Sequence, residues 1–94
     1  MGESVADAQL PEKLTLEVAA ATLTQLQPVL SSRSGEEVTL DAGGLKEFDS
    51  SAVAVLLELR RELLRQGRRL KVLNWPSRLR ELIALYGVAE LLPA

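Results

Sequence analysis

The residues best able to do chemistry are an acid and two hydroxyls in a row, Asp49, Ser50 and Ser51. They follow an apolar strand and a glycine-bearing loop and precede an amphipathic segment, so the pattern predicts that they begin a helix. Asp49 would then cap the helix by accepting backbone N–H groups. The serines are either ordinary first-turn residues or exposed groups for a partner or a kinase, because a helix start favours a phosphate.

Two missing residue types exclude much of enzyme chemistry. The chain contains no histidine and no cysteine, so a Ser-His-Asp triad, a Cys-His pair and a zinc site cannot be built within it. Asp41, Glu47 and Asp49 could meet at the end of the sheet as an acid–base or Mg²⁺ site, which makes a metal-dependent enzyme a remote alternative. Gly43-Gly44 lacks the spacing of a nucleotide-binding loop, so no cofactor is expected.

The charge is divided unequally along the chain. Residues 1–50 hold three basic and nine acidic side chains, whereas residues 51–94 hold eight basic and four acidic ones. The basic second half either suits an acidic partner surface or anionic lipid headgroups, or its charges are simply solvated side chains on helix faces. No basic sheet with interleaved aromatics is present, so nucleic-acid binding is not expected.

No apolar run approaches the roughly 20 residues that cross a bilayer, so direct membrane insertion is not expected. The chain also shows no basic, apolar secretory leader. We therefore expect a cytoplasmic protein.

Strands and helices must alternate to position these groups. The first part of the chain predicts a weak edge strand in 4–10 (or a flexible N-terminus over 1–12), a strand over 13–18, and a helix over 19–32 that Pro28 shortens, kinks or delays. The middle predicts a strand over 38–42, a loop over 43–48 and a helix over 50–66. A strand over 68–75, a helix over 76–86 and an apolar tail over 88–92 follow. This order predicts one α/β domain over 1–94, with helices packed on a small, mostly parallel or mixed sheet.

The helix over 50–66 has more apolar surface than packing on a sheet requires. One stripe contains Ala52, Val55, Leu56, Leu59 and Leu63, and a second contains Val53, Leu57 and Leu64. The second stripe either packs on the helix over 76–86 or docks onto a partner, with Arg61 on the charged remainder. Trp75 is either a core residue or an interface anchor.

Together these motifs resemble the STAS domain, the fold of anti-sigma factor antagonists, over residues 13–92. The resemblance is carried by Asp49-Ser50-Ser51-Ala52-Val53, the amphipathic helix, and Gly67, Pro76 and Gly87 at the ends of elements. In sigma-regulating members the second hydroxyl, here Ser51, is phosphorylated. Those members usually have glycine where this chain has Ala52.

The end of the chain, Leu-Tyr-Gly-Val-Ala-Glu-Leu-Leu-Pro over 85–93, resembles the MlaB-like branch of the family. These are small STAS subunits of bacterial phospholipid ABC transporters, and in them the first hydroxyl, here Ser50, matches a threonine needed for function. The resemblance implies a non-enzymatic regulatory or assembly subunit that binds the cytoplasmic ATPase of a permease-containing complex. It further implies a role in outer-membrane lipid asymmetry and association with the inner membrane through that complex.

The alternative implied by the same family is an anti-sigma factor antagonist that binds a serine kinase or anti-sigma factor and is inactivated at Ser51. The full Asp49-Ser50-Ser51 motif favours this alternative, whereas the longer C-terminal match favours the transporter. In either case the residues expected to bind the partner are Asp49, Ser50, Ser51, Val53, Leu57, Arg61 and Trp75.

Overall fold

The computed structural model describes residues 6–92, which form two small parallel sheets and three helices. The strands are β1 (Ala8–Gln9), β2 (Lys13–Leu14), β3 (Glu37–Asp41), β4 (Glu47–Phe48) and β5 (Arg69–Leu73), and the helices are α1 (Leu16–Ser31), α2 (Ser50–Arg65) and α3 (Ser77–Leu85). One sheet has the order β1-β3-β5 and the other pairs β2 with β4. The predicted α/β class is confirmed, but the strands are divided between two sheets.

Aliphatic side chains from both the sheets and the helices form the core. Val38 and Leu40 of β3 are fully buried, and α2 contributes its first apolar stripe, every member of which is buried as predicted. Leu92 is also buried, so the end of the apolar tail packs on the body. Within residues 6–92, no helix combines the length and apolar character needed to span a bilayer.

The first helix begins earlier than the sequence suggested, and the strand predicted over 13–18 is wrong beyond Leu14. Thr15 is extended, and its carbonyl oxygen accepts the N–H of Val18 at 3.0 Å, which closes the first turn of α1. The alternation of polar and apolar residues indicated a half-buried strand. Leu16, however, is 77% exposed, so this alternation does not reflect a buried face.

Pro28 neither ends α1 nor delays its start. It lies in the last turn, where the N–H of Ser32 donates to the Pro28 carbonyl oxygen at 3.0 Å. The ring removes one donor from the helix, and the matching carbonyl belongs to Thr24, an exposed residue. A proline this close to the helix end is therefore tolerated.

Two strands also differ from the predicted boundaries. Glu47 and Phe48 were predicted to lie in a loop, but they form β4 because they pair with β2. β5 ends at Leu73 instead of 75, since Asn74 adopts a left-handed φ of 57° that an extended strand does not continue through.

The predicted edge strand corresponds to β1, and residues 4–5 of that prediction lie outside the described part of the chain. The last helix, predicted over 76–86, begins at Ser77 because Pro76 is extended, with φ −63° and ψ 143°. Proline therefore precedes the helix as its cap residue.

Arg68 ties the segment after α2 to the end of α1. Its guanidinium donates to the carbonyl oxygens of Gly35 at 2.9 Å, of Leu30 and Ser31 at 3.2 Å each, and of Arg33. The last carbonyls of a helix have no intrahelical donors, so a planar guanidinium with several N–H groups can satisfy them together. No motif in the sequence indicated this contact.

Replacing Arg68 with alanine should lower the free energy of unfolding by about 2 kcal/mol, because several carbonyls lose a charged donor. Arg68→Lys should recover only part of this, since one ammonium group cannot span the same acceptors. Urea denaturation provides the measurement. Arg69→Ala is the control, with an expected change within about 0.5 kcal/mol, because that side chain is exposed. Equal losses at both positions would contradict this role for Arg68.

Candidate functional site

Asp49 lies where α1 and α2 begin side by side. It is the cap residue of α2, and its Oδ1 accepts the backbone N–H of Ser51 at 2.8 Å. Its Oδ2 accepts the backbone N–H of Leu16, the first residue of α1, at 3.2 Å. The predicted capping role is therefore confirmed, and the same carboxylate also satisfies an N–H of a second helix.

These hydrogen bonds lower the pKa of Asp49 below its ordinary value of 3.8. The backbone N–H of Ser51 is the main cause of the lowered pKa. Desolvation opposes it, and the N–H of Leu16 and the hydroxyl of Ser51 make smaller contributions in the same direction as the first. The positive ends of two helix dipoles act in the same direction. Asp49 therefore stays ionised at neutral pH, as suits a structural anion more than a proton donor.

The two serines have different surroundings. Ser50 is exposed, whereas Ser51 is half-buried. Successive residues of a helix lie about 100° apart around its axis, so the two side chains leave α2 in different directions. Ser50 lines an open groove, and Ser51 is not part of that lining.

The groove beside Ser50 separates α2 from the chain that follows α3. It has a volume of about 290 Å³ and is lined by Ser50, Val53, Ala54, Leu57, Tyr86 and Val88. Val53 is only 4% exposed and lies at its base, while Tyr86 is 51% exposed at its edge. A shallow, open and mainly apolar surface of this kind suits a protein partner better than an enclosed small-molecule site.

A second groove continues along the same side of α2. It has a volume of about 230 Å³ and is lined by Arg60, Leu64, Arg69, Leu70, Glu90 and Leu91. Leu64 and Leu91 are 44% and 42% exposed. Leu57, Arg60 and Leu64 are spaced three and four residues apart, so they share one side of the helix. We call the two grooves together the α2–tail strip; from Ser50 to Leu64 it spans about 21 Å at the rise of an α-helix.

The second apolar stripe of α2 has mixed burial. Val53 packs in the core, so it offers a partner little surface. Leu57 is half-buried and Leu64 is exposed, so both retain apolar area along the strip. Docking of a partner onto these two leucines stays a prediction.

Four of the predicted partner-binding residues line neither groove: Asp49 and Ser51 at the start of α2, and Arg61 and Trp75. Arg61 is exposed one turn after Leu57, beside the open side of the strip. Trp75 is half-buried and lines a separate cavity of about 170 Å³ with Arg80, Ile83, Ala89 and Leu92. Its indole Nε1 is buried and has no hydrogen-bond partner within residues 6–92. Trp75 is therefore not brought together with Ser50 and Leu57.

Sequence reasoning missed the residues that form the far wall of the strip. Tyr86, Val88 and Leu91 provide it, and they belong to the end of the predicted last helix and to the tail. The apolar tail after Gly87 was the available signal. Its apolar character was evident from the sequence, but its position alongside α2 was not.

Asp41, Glu47 and Asp49 do not assemble into a metal site. Among residues 6–92, no group of three or more histidine, cysteine, aspartate or glutamate side chains could hold a metal ion. Asp41 Oδ1 instead accepts the backbone N–H of Gly43 at 2.8 Å and the Nδ2 of Asn74 at 3.0 Å. Its carboxylate thus stabilises the turn that follows β3.

Comparison with known proteins indicates one family and one fold. A family model described as "Mlab, STAS domain" matches residues 5–93. A sulfate transporter family protein from Wolinella succinogenes is similar in structure, with a TM-score of 0.71, 17% identity, and coverage of 95% of this chain and 75% of that one. The STAS domain of a SulP transporter from Vibrio cholerae has a TM-score of 0.67, 16% identity, and coverage of 90% of this chain and 65% of that one.

At such low identity these two structures show the shared fold alone. The chain spans only 65% of the length of the Vibrio cholerae domain. No curated protein matches the sequence significantly.

Substitutions of Asp49 can separate its two capping roles. Asp49→Asn keeps one oxygen for the N–H of Ser51 but places an amide against the N–H of Leu16, whereas Asp49→Ala removes both acceptors. The melting temperature from circular dichroism should therefore fall less for Asp49→Asn than for Asp49→Ala. Equal losses would show that the cap of α2 adds nothing beyond the contact with α1, and an unchanged melting temperature for Asp49→Asn would show that the contact with α1 adds nothing.

The stabilisation by Asp49 should also depend on pH. Because the pKa is lowered by folding, this contribution is fully present above the ordinary value of 3.8 and is lost as the pH falls through the lowered pKa. The difference in melting temperature between wild type and Asp49→Asn should shrink as the pH falls below 3.8. Glu81→Gln, at an exposed carboxylate of α3, is the control. A wild type–Asp49→Asn difference that is constant with pH would contradict the role of the charge.

Proposed function

This chain belongs to the STAS domain family of the Mlab type, and on that basis we propose that it is a regulatory or assembly subunit of a phospholipid ABC transporter. In this proposal it binds the cytoplasmic ATPase subunit within a permease-containing complex and associates with the inner membrane through that complex. The transporter would serve the lipid asymmetry of the outer membrane. The family match over residues 5–93 is the observation that carries the proposal.

The proposed contact surface is the α2–tail strip. It exposes apolar side chains, among them Leu64, Tyr86 and Leu91, that a monomer gains nothing by leaving in water. Domains of this family are typically non-catalytic, and the strip offers an open surface instead of an enclosed pocket. These features support a role in binding without chemistry.

Ser50 would control this contact. Its hydroxyl lies at the exposed start of α2 and at the edge of the apolar groove. A neutral hydroxyl can hydrogen-bond a partner there without adding charge. A phosphate or a carboxylate at the same position would place uncompensated negative charge in an apolar interface and weaken binding.

An anti-sigma factor antagonist is the second candidate, and the complete acid–hydroxyl–hydroxyl motif favours it. In that case a serine kinase would phosphorylate Ser51, and the partner would be an anti-sigma factor. The half-burial of Ser51 and its contact with the cap carboxylate make it less accessible than Ser50. We therefore rank this candidate second.

Affinity capture from native, detergent-solubilised cells, followed by mass spectrometry, distinguishes the two candidates. The tagged chain should recover an ABC ATPase together with its permease. Recovery of a small serine kinase or an anti-sigma factor would instead support the second candidate and make Ser51 the residue of interest.

Single substitutions should then locate the contact on the chain. Leu57→Asp and Ser50→Glu should each reduce recovery of the ATPase by about tenfold or more, because both introduce charge into the strip. Gln25→Glu, on the exposed face of α1, should leave recovery unchanged. Circular dichroism should show that all three variants remain folded. Undiminished capture by folded Leu57→Asp would exclude the strip as the contact surface.

A further inference from the structure

The second half of the α2–tail strip is bordered by arginines. Arg60 and Arg69 line the groove, and Arg61 is exposed beside it. The side-chain ion pairs within residues 6–92 are Lys13–Glu17 at 3.7 Å and Arg65–Glu62 at 3.4 Å, so none of these three arginines is paired there. Glu90 is the acidic residue in the lining, and the charge around this end of the strip remains positive.

The other half of the strip is uncharged. Its lining consists of a serine, aliphatic residues and a tyrosine. Asp49 is adjacent in sequence, but its carboxylate oxygens accept the N–H groups of Ser51 and Leu16. The strip therefore has an apolar end near Ser50 and a basic end near Leu64.

We propose that the α2–tail strip binds an amphipathic helix of the partner, about four turns long, with acidic side chains at the end that meets Arg60, Arg61 and Arg69. The length follows from the span of the strip at 1.5 Å per residue, or about 21 Å. A shallow groove that runs between a helix and a chain segment, and that is apolar over much of its length, suits a helix that presents one apolar face. The unpaired arginines define the acidic end by charge complementarity.

This inference rests on the proposed function only for the identity of the protein that supplies the helix. Its chemistry follows from the strip itself.

Other occupants match the strip less well. Within residues 6–92, a second copy of the chain offers no acidic helix, because α1 has no charged residue after Glu17, and α2 and α3 each carry more arginine than glutamate. An anionic lipid surface would favour basic side chains along the whole strip, whereas the half that begins at Ser50 is uncharged.

Synthetic peptides test the inference without any need for the natural partner. The probe is a helix-stapled peptide of about 16 residues with leucines at i, i+4, i+7 and i+11, and with glutamates around the last two. The matched peptide has lysines in place of the glutamates. Fluorescence anisotropy with the whole chain should give a Kd at least about tenfold lower for the glutamate peptide, and this preference should weaken as salt is raised.

Variants of the chain should change this preference in a defined way. Arg60→Glu combined with Arg69→Glu should reverse it in favour of the lysine peptide. Leu57→Asp should weaken binding of both peptides about equally. Lys46→Glu, at an exposed position before β4, should leave the preference as in the wild type.

Three outcomes would overturn the inference. The first is equal affinity for the two peptides, or no saturable binding of either. The second is binding to phosphatidylglycerol vesicles that Leu57→Asp abolishes, while neither peptide binds. The third is a concentration-dependent dimer that Leu57→Asp dissociates.

The two proposals can fail separately. A glutamate preference without capture of an ATPase would retain the helix inference and reject the proposed function. Capture of an ATPase without any peptide preference would retain the proposed function and reject the helix inference.

Discussion

The position of the α2–tail strip depends on one carboxylate. Asp49 accepts backbone N–H groups from the first turns of two helices that are far apart in sequence, so α1 and α2 must begin together. At the other end, Arg68 fixes the last carbonyls of α1 from the segment just after α2. Both ends of α1 are thus held by residues that flank α2. The exposed side of α2 is left for the tail and for a partner.

Local rules predicted the features that depend on neighbouring residues. The cap of α2 and its first buried stripe follow from the residue types and the helical period, and the structure confirms both. The start of α1 did not follow, because alternation around Thr15 is compatible with a strand until the contact of Leu16 with Asp49 is known. The role of Arg68 could not be predicted for the same reason, because the carbonyls that accept its N–H groups lie more than thirty residues away in sequence.

The candidate site was predicted in part and for a similar reason. Sequence periodicity placed Val53, Leu57 and Leu64 in one stripe of α2, but it could not show that Tyr86 and Leu91 form the facing wall. The separation of Trp75 from the strip likewise depends on the tertiary path of the tail. The uneven charge of the chain was apparent at once. Only the fold places Arg60 and Arg69, which have no ion-pair partner within residues 6–92, together at one end of an apolar surface.

The parallel pairing of the strands also affects how the protein folds. Each strand bonds to a neighbour about thirty residues or more along the chain, so no hairpin can form early and guide the rest. During synthesis, β1 and β2 emerge from the ribosome well before their partners exist. α1, whose exposed surface carries few charges, is likewise synthesised before α2, against which it packs. The sheet β1-β3-β5 therefore cannot be completed until β5 has been synthesised, which makes the nascent chain, more than the finished protein, the state exposed to misassociation.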